Sequence, residues 1–139
     1  MASIIYDSFM NDLALGSFNI DTATVKVMLV TSGYSPNKGL HDRRNDVTNE
    51  VTGTGYTAGG LTSDVTLSLN TTSHQLDIQF ANVTWPTSTI TARACVLYVA
   101  LGGAASADPL IAYVDFGTDV SSTAAAFSVT FSSALRFQN

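Results

Sequence analysis

Residues 93–116 decide the fold of this chain, and they read RACVLYVALGGAASADPLIAYVDF. Two apolar runs, at 94–101 and 110–114, flank a linker of Gly, Ala and Ser that also contains Asp108-Pro109. Runs this short and this apolar are typical of strands that are covered on both faces, because no position alternates toward water. The Gly and Asp-Pro signals between them predict a hairpin. The rest of the chain is expected to cover this pair.

The flanking segments add strands of the ordinary alternating kind. Residues 65–69 and 76–80 alternate apolar and polar side chains on either side of a turn at 70–74, which predicts a second hairpin. Residues 24–31 read as a buried strand and residues 127–131 as a last alternating strand. Trp85-Pro86 is expected to end a short strand between them, because proline cannot donate to a ladder.

One short helix is predicted before the strands, over residues 6–15. Phe9, Met10 and Leu13 form its apolar side, with Ser8 as the N-cap and Gly16 as the stop. The whole pattern predicts an all-β fold with about seven or eight antiparallel strands and this one N-terminal helix. A sandwich, a jelly roll and a small barrel remain equally compatible with it.

The alternation also predicts which side chains form the core. In the outer strands, the side chains expected to point inward are the apolar ones of the alternating pattern. In the central strands, side chains on both faces are expected to be buried, because both faces are apolar. The predicted core residues are Val27, Leu29, Leu67, Ile78, Phe80, Val96, Tyr98, Ile111, Val114, Phe127 and Val129.

Composition restricts the possible functions. The 139 residues suit a single β domain over 1–139. Charged residues are only 12% of the chain, about half the usual share, which favours a protein that covers part of its surface by association. The net charge of −5 argues against nucleic-acid binding, and no apolar run is long enough for a transmembrane helix. The start of the chain has no secretory-signal pattern.

The segment 32–60 differs from the rest of the chain. Glycines and Pro36 interrupt every periodicity, so the segment is expected to be a long loop excursion from the β domain. Long loops in compact domains are usually functional or disordered, which makes this one the candidate partner-binding segment. Its charged residues are the candidate contacts: Lys38, Asp42, Arg43, Arg44, Asp46 and Glu50. The alternative contact is the N-terminal helix or the end of the chain near Phe137.

No pattern in the sequence points to catalysis, a cofactor or a metal. His41 and His74 lack ligand spacing, and Asp77 and Asp115 occupy outward positions of predicted strands, where a solvated carboxylate is the ordinary explanation. The lone Cys95 lies inside the central apolar run and reads as a small buried hydrophobe. We therefore expect no enzyme, no cofactor and no metal. Tyr34, Tyr56 and Trp85 could form a platform for a sugar, although core packing explains them equally well.

Three phrases together resemble a family of small virion proteins of tailed bacteriophages. They are DTATVKVMLVTS at 21–32, VTNEVTGTGYTAGG at 47–60, and TARA at 91–94 leading to PLIAYVDFG at 109–117. The family is associated with capsid cement or decoration proteins, and the likeness covers nearly the whole chain. It implies a structural protein that binds and stabilises the head shell, and it brings no catalytic residues.

The resemblance also sets expectations about partners and location. The partner would be the major capsid protein of the phage, and the chain itself would form a homo-oligomer, dimer or trimer. The protein would be made in the bacterial cytoplasm and end on the capsid surface of the virion, without contacting nucleic acid or a membrane. The alternative is a tail or fibre module that contacts glycans on the host surface.

Overall fold

The computed structural model describes residues 3–139, which form two antiparallel sheets and one α-helix. Two single 3-10 turns, Arg44–Asp46 and Ala105–Ala107, lie in the connections. In chain order the helix and strands are β1 (Ile4–Ile5), α1 (Asp7–Leu15), β2 (Val25–Val30), β3 (Leu61–Ser63), β4 (Val65–Asn70), β5 (Gln75–Phe80), β6 (Val83–Val99), β7 (Leu110–Val129) and β8 (Leu135–Gln138).

The predicted all-β class is confirmed, with eight strands and one helix in the described residues. The larger sheet has the strand order β1-β7-β6-β2-β3, and the smaller sheet has the order β4-β5-β8. The two sheets form a sandwich-like arrangement, and across residues 3–139 they do not join into a closed barrel. No helix in this range is long and apolar enough to cross a membrane.

The hairpin of β6 and β7 is the centre of the larger sheet, as the apolar runs predict. Its register pairs Val96 with Tyr113 and Cys95 with Val114. Every residue from 94 to 99 is buried, because one apolar cluster covers each face of the sheet. The cluster on one face includes Leu97 and Ile111, and the cluster on the other includes Val96 and Tyr98.

Strand β6 is much longer than the sequence suggests. Trp85-Pro86 does not end a strand, since β6 runs through it from Val83 to Val99. The register shifts between Trp85 and Ser88, where Trp85 faces Phe127 and Ser88 faces Ala125. A bulge leaves a residue unpaired, so a proline at this point removes no ladder hydrogen bond.

The predicted core is largely confirmed. Of the eleven residues, all but Leu67 and Val114 are buried. Leu67 lies on β4, an edge strand of the smaller sheet, and packs only partly against the core. Val114 is half-buried because it borders a surface groove described below.

The helix begins and ends close to the predicted residues, but its cap differs. Gly16 adopts a left-handed conformation (φ 68°) and its N–H donates to the carbonyl of Leu13, so it is the stop. Ser8 is not the N-cap, since Tyr6 occupies that position without a capping side chain. Phe9 is fully buried, whereas Met10 faces outward.

Segment 32–60 packs across the larger sheet and is not a structureless loop. Tyr34 belongs to the apolar cluster on one face of the sheet, and Val51 belongs to the cluster on the other. Between them, Glu50 forms an antiparallel bridge with Val30 at the edge of β2. The segment returns to the sheet at Gly60 (φ 79°), where a Cβ would collide with the carbonyl oxygen of Val27. Only glycine permits both this conformation and this approach.

Candidate functional site

Arg43 connects segment 32–60 to the helix. Its guanidinium donates to both carboxylate oxygens of Asp12, from Nη1 at 3.0 Å and from Nη2 at 3.3 Å. The Asp12 side chain is only 5% exposed. A two-point contact of this kind is among the strongest that a carboxylate can make, and leaving the carboxylate buried without it is costly. Arg43 therefore has an internal structural role.

Arg44 connects the same segment to the central hairpin. Its Nε donates to Oδ2 of Asp108 at 2.8 Å, and the Asp108 side chain is 3% exposed. The other carboxylate oxygen of Asp108 accepts from the N–H of Leu101 at 3.0 Å. The guanidinium also lies over the ring of Tyr98, 5.2 Å from its centroid. The Arg44 guanidinium is therefore held by two groups, the Asp108 carboxylate of the hairpin loop and the Tyr98 ring of the larger sheet.

Asp46 and Glu50 hold the backbone of the segment itself. Oδ2 of Asp46 accepts from the N–H groups of Asp42 at 2.9 Å and Arg43 at 3.2 Å. The hydrogen bond from the Asp42 N–H is the main reason why the pKa of Asp46 is below its ordinary value, with the Arg43 N–H acting in the same direction. Oε1 of Glu50 accepts from the hydroxyl of Tyr56 at 2.7 Å and from the N–H of Gly59 at 2.6 Å.

The Tyr56 hydroxyl extends this network into the sheet, because it also accepts from the N–H of Leu29 at 3.0 Å. Burial is the main reason why the pKa of Tyr56 is raised, so the hydroxyl keeps its proton for Glu50. The Tyr98 hydroxyl donates to the carbonyl of Gly59 at 2.7 Å. Glu50 thus links the end of the segment to strand β2.

A chain of hydrogen bonds runs from His41 to the start of α1. Nδ1 of His41 lies 2.9 Å from the Tyr34 hydroxyl, which lies 2.8 Å from the Tyr6 hydroxyl. The N–H of Asn37 also donates to Nδ1, at 3.3 Å. The Tyr34 hydroxyl therefore connects the His41 ring to Tyr6. Across residues 3–139, no group of three or more His, Cys, Asp and Glu residues is arranged to hold a metal ion.

Lys38 and Asp42 differ from the other four predicted contact residues because their side chains are exposed. Asp42 lies 3.8 Å from Nη1 of Arg43 and is 58% exposed. Lys38 has no ion-pair partner in the described part of the chain. The six predicted contact residues therefore do not form one surface: Arg43, Arg44, Asp46 and Glu50 hold the segment in place, and Lys38 borders a different feature.

That feature is an apolar groove between β1 and β8, with a cavity volume of about 610 Å³. The groove β1/β8, as we call it, also touches α1 and the start of β7. Exposed apolar side chains border it, among them Ile5, Met10 and Phe137. It lies at the alternative contact named from the sequence, the N-terminal helix and the Phe137 end. The groove itself was missed, because the strands that border it lie at opposite ends of the chain.

A second surface lies on the part of the β6–β7 hairpin farthest from its turn. Here hydroxyl side chains pair across the two strands, as Thr91 with Ser121 at 2.7 Å and Thr84 with Ser128 at 2.9 Å. A shallow cavity of about 520 Å³ lies against this surface. Its lining is mostly hydroxyl groups, with one carboxylate: Thr31, Glu50, Thr52, Thr89, Thr91 and Thr123.

The aromatic platform suggested by the sequence does not exist on the surface. Trp85 and Tyr34 are buried, and Tyr56 packs against Trp85 with ring centroids 5.6 Å apart. Trp85 also meets Phe127 edge to face at 6.1 Å. Core packing therefore explains these three residues.

Comparison with known proteins gives no relative from which a function could be transferred: no protein-family model, no curated protein and no solved structure matches this chain.

Proposed function

We propose that this chain is a bacteriophage capsid cement or decoration protein that binds the head shell and stabilises it. The observation that carries the proposal is the exposed apolar groove β1/β8, bordered by Ile5, Met10 and Phe137. Apolar side chains grouped at one exposed site are typical of a protein-binding surface. The resemblance to small virion proteins supports the same function.

The use of charge in the molecule is consistent with this function. All four arginines are in ion pairs with carboxylates of the same chain, namely Arg43 with Asp12, Arg44 with Asp108, Arg93 with Asp115 and Arg136 with Asp77. Such pairs fix the connections to the sheets and leave few cations for a partner. A cement protein needs a rigid scaffold and an apolar contact, and it needs no active site.

The proposed partner is the major capsid protein, and the proposed location is the capsid surface. The protein would be made in the cytoplasm of the bacterial host and would act without enzymatic activity, cofactor or nucleic acid. It would also form a dimer or trimer, because 45% hydrophobic residues with 12% charged residues favour association. Light scattering that shows only monomer at high concentration would count against the oligomer.

Binding to empty shells tests the function directly. Head shells of the phage that encodes the chain, assembled without it, should bind the purified protein until a fixed number of copies per shell is reached. The decorated shells should withstand a higher temperature than bare shells before they rupture. Shells that neither bind the protein nor gain heat resistance would refute the proposal.

The hydroxyl-lined cavity on the β6–β7 hairpin favours one alternative, a tail or fibre module that binds a host glycan. Thr and Ser hydroxyls can both donate to and accept from sugar hydroxyls. Binding of the isolated protein to host cells or to a glycan array, abolished by Thr89→Val and Thr91→Val, would support this alternative over the cement function.

A further inference from the structure

The groove β1/β8 runs along the edges of two sheets. Its lining includes three consecutive residues of β8, Leu135, Arg136 and Phe137. Successive side chains of a strand point to opposite faces, so a cavity that touches three in a row lies along the edge of the strand. Ser3, Ile4 and Ile5 line the other side in the same way. Strands β1 and β8 are edge strands of their respective sheets.

The edge of β8 that faces away from β5 has open backbone groups. The register pairs Leu135 with Ile78 and Phe137 with Leu76, and the N–H of Asn139 donates to the carbonyl of His74. In an antiparallel pair the residues that bond to the neighbouring strand alternate with residues whose N–H and C=O point away. Arg136 and Gln138 therefore direct their backbone groups away from β5. An open edge of this kind accepts another strand.

The chemistry of the groove selects the side chains of that strand. Ile5, Met10, Val114 and Phe137 offer apolar contacts. Lys38 and Asp7 lie at the groove with opposite charges, and the third charged residue, Arg136, already forms a two-point ion pair with Asp77, at 2.7 and 2.9 Å. With these charges balanced, the groove attracts neither an acidic nor a basic segment. An uncharged segment with alternating apolar side chains fits it best.

We infer that the groove β1/β8 binds an extended, uncharged apolar segment of the major capsid protein, which adds to the edge of β8 as a fourth strand of the smaller sheet. The inference rests on the proposed function and gives it a mode of binding. Backbone hydrogen bonds at Arg136 and Gln138 would fix the register of the added strand. Its side chains would fill the groove against Ile5 and Met10.

Paired substitutions test the location of the contact. Met10→Glu changes a groove residue that is 54% exposed, and Leu101→Glu changes a residue of the same exposure outside the groove. Ile5→Glu (37% exposed) and Val120→Glu (40% exposed) form a second pair. Binding of each variant to empty shells is measured after its thermal unfolding shows that it is folded. The groove variants should bind roughly tenfold or more weakly than the parent, and each control within about twofold of it.

Amide hydrogen exchange tests the added strand. On binding to shells, the N–H groups of Arg136 and Gln138 should exchange more slowly, because each would gain an acceptor, whereas those of Leu101 and Val120 should be unchanged. Binding without protection of the β8 amides would overturn the strand addition. Equal loss in the groove and control variants would overturn the location.

Three further outcomes distinguish the inference from the function on which it rests. If the parent binds shells and the groove variants bind as well as it does, the inference fails and the cement function stands. If the parent does not bind shells at all, the proposed function fails first. If the free parent is a dimer and Met10→Glu makes it a monomer without weakening shell binding, the groove holds a second copy and the inference is wrong.

Discussion

Segment 32–60 and the groove β1/β8 differ in which side chains contact the rest of the chain and which are left exposed. The segment concentrates charged residues, yet Arg43, Arg44, Asp46 and Glu50 all contact groups of the same chain. The groove also has charged residues at its border, Asp7, Lys38 and Arg136, but it leaves apolar side chains exposed at strand edges. A charged, glycine-rich stretch is commonly read as a free binding loop. Here four charged side chains of the stretch fix it to the rest of the chain, whereas the groove leaves apolar side chains exposed.

The largest expected effect comes from reversing both arginines of the segment. Arg43→Glu with Arg44→Glu places carboxylates against Asp12 and Asp108, each almost fully buried. Breaking a buried ion pair leaves an uncompensated charge, so the free energy of unfolding should fall by at least about 3–5 kcal/mol. Urea unfolding measures this. Lys38→Glu is the control and should change it by less than about 0.5 kcal/mol. A double variant as stable as the control would show that the segment is a free loop.

A smaller loss is expected at Glu50. Glu50→Gln keeps the Oε1 that accepts both hydrogen bonds, from Tyr56 and from Gly59, but it removes the negative charge that strengthens them. The expected loss of unfolding free energy is about 1–3 kcal/mol. The N–H groups of Leu29 and Gly59 should exchange faster in the variant, because both depend on this network. Unchanged exchange at the Leu29 N–H would show that the hydrogen bond from β2 to Tyr56 does not depend on Glu50.

The pH dependence of stability should carry a contribution from Asp46. Its pKa is lowered in the folded state, chiefly by the Asp42 N–H. A lowered pKa contributes stability that is complete above the unfolded-state value, about 3.9, and is lost as the pH falls through the folded-state value. Urea titrations between pH 7 and pH 3 should therefore show a shallower acid loss for Asp46→Asn than for the parent. Parallel curves for the two proteins would contradict this role.

The smallest effect on folding is expected in the groove. Met10→Glu changes a side chain that is more than half exposed, so the free energy of unfolding should stay within about 0.5 kcal/mol of the parent value. The same substitution is expected to have a large effect on binding to shells. A loss of 2 kcal/mol or more in the same urea assay would mean that the groove is part of the core.

Local patterns were sufficient for the β4–β5 hairpin and the central apolar runs, and insufficient for the full lengths of β6 and β7 and for the segment. Residues 127–131, predicted as a separate last strand, overlap the end of β7, which runs without a break from Leu110 to Val129. The hairpin of β4 and β5 follows from alternation, and the buried central strands follow from the apolar runs. The order of segment 32–60 comes from partners far away in sequence, such as Asp12 for Arg43 and Asp108 for Arg44. No periodicity within the segment could reveal them. The continuation of β6 through Pro86 was missed for the same reason, because a bulge depends on the opposite strand.

The candidate groove required the topology of the sheets. Ile5 and Phe137 looked like separate apolar residues near the two ends of the sequence. They border one groove because β1 pairs with β7, whereas β8 pairs with β5 in the other sheet. Apolar composition at the ends could suggest a contact there. The strand pairing is what places β1 and β8 at the edges of their sheets, on either side of one groove.

The pairing of β2 with β6 has a consequence for the synthesis of the chain. Val25 pairs with Val99 and Val30 with Ala94, so the apolar strand Val25–Val30 has no partner on its β6 side until the ribosome has made nearly seventy further residues. At ordinary elongation rates this takes roughly 4–14 seconds. During that interval the β6 side of this largely apolar strand, with Lys26 as its single charged residue, is open to other nascent chains. The chain is therefore exposed to misassembly before it can fold, and its yield should depend on chaperone supply and on the rate of translation.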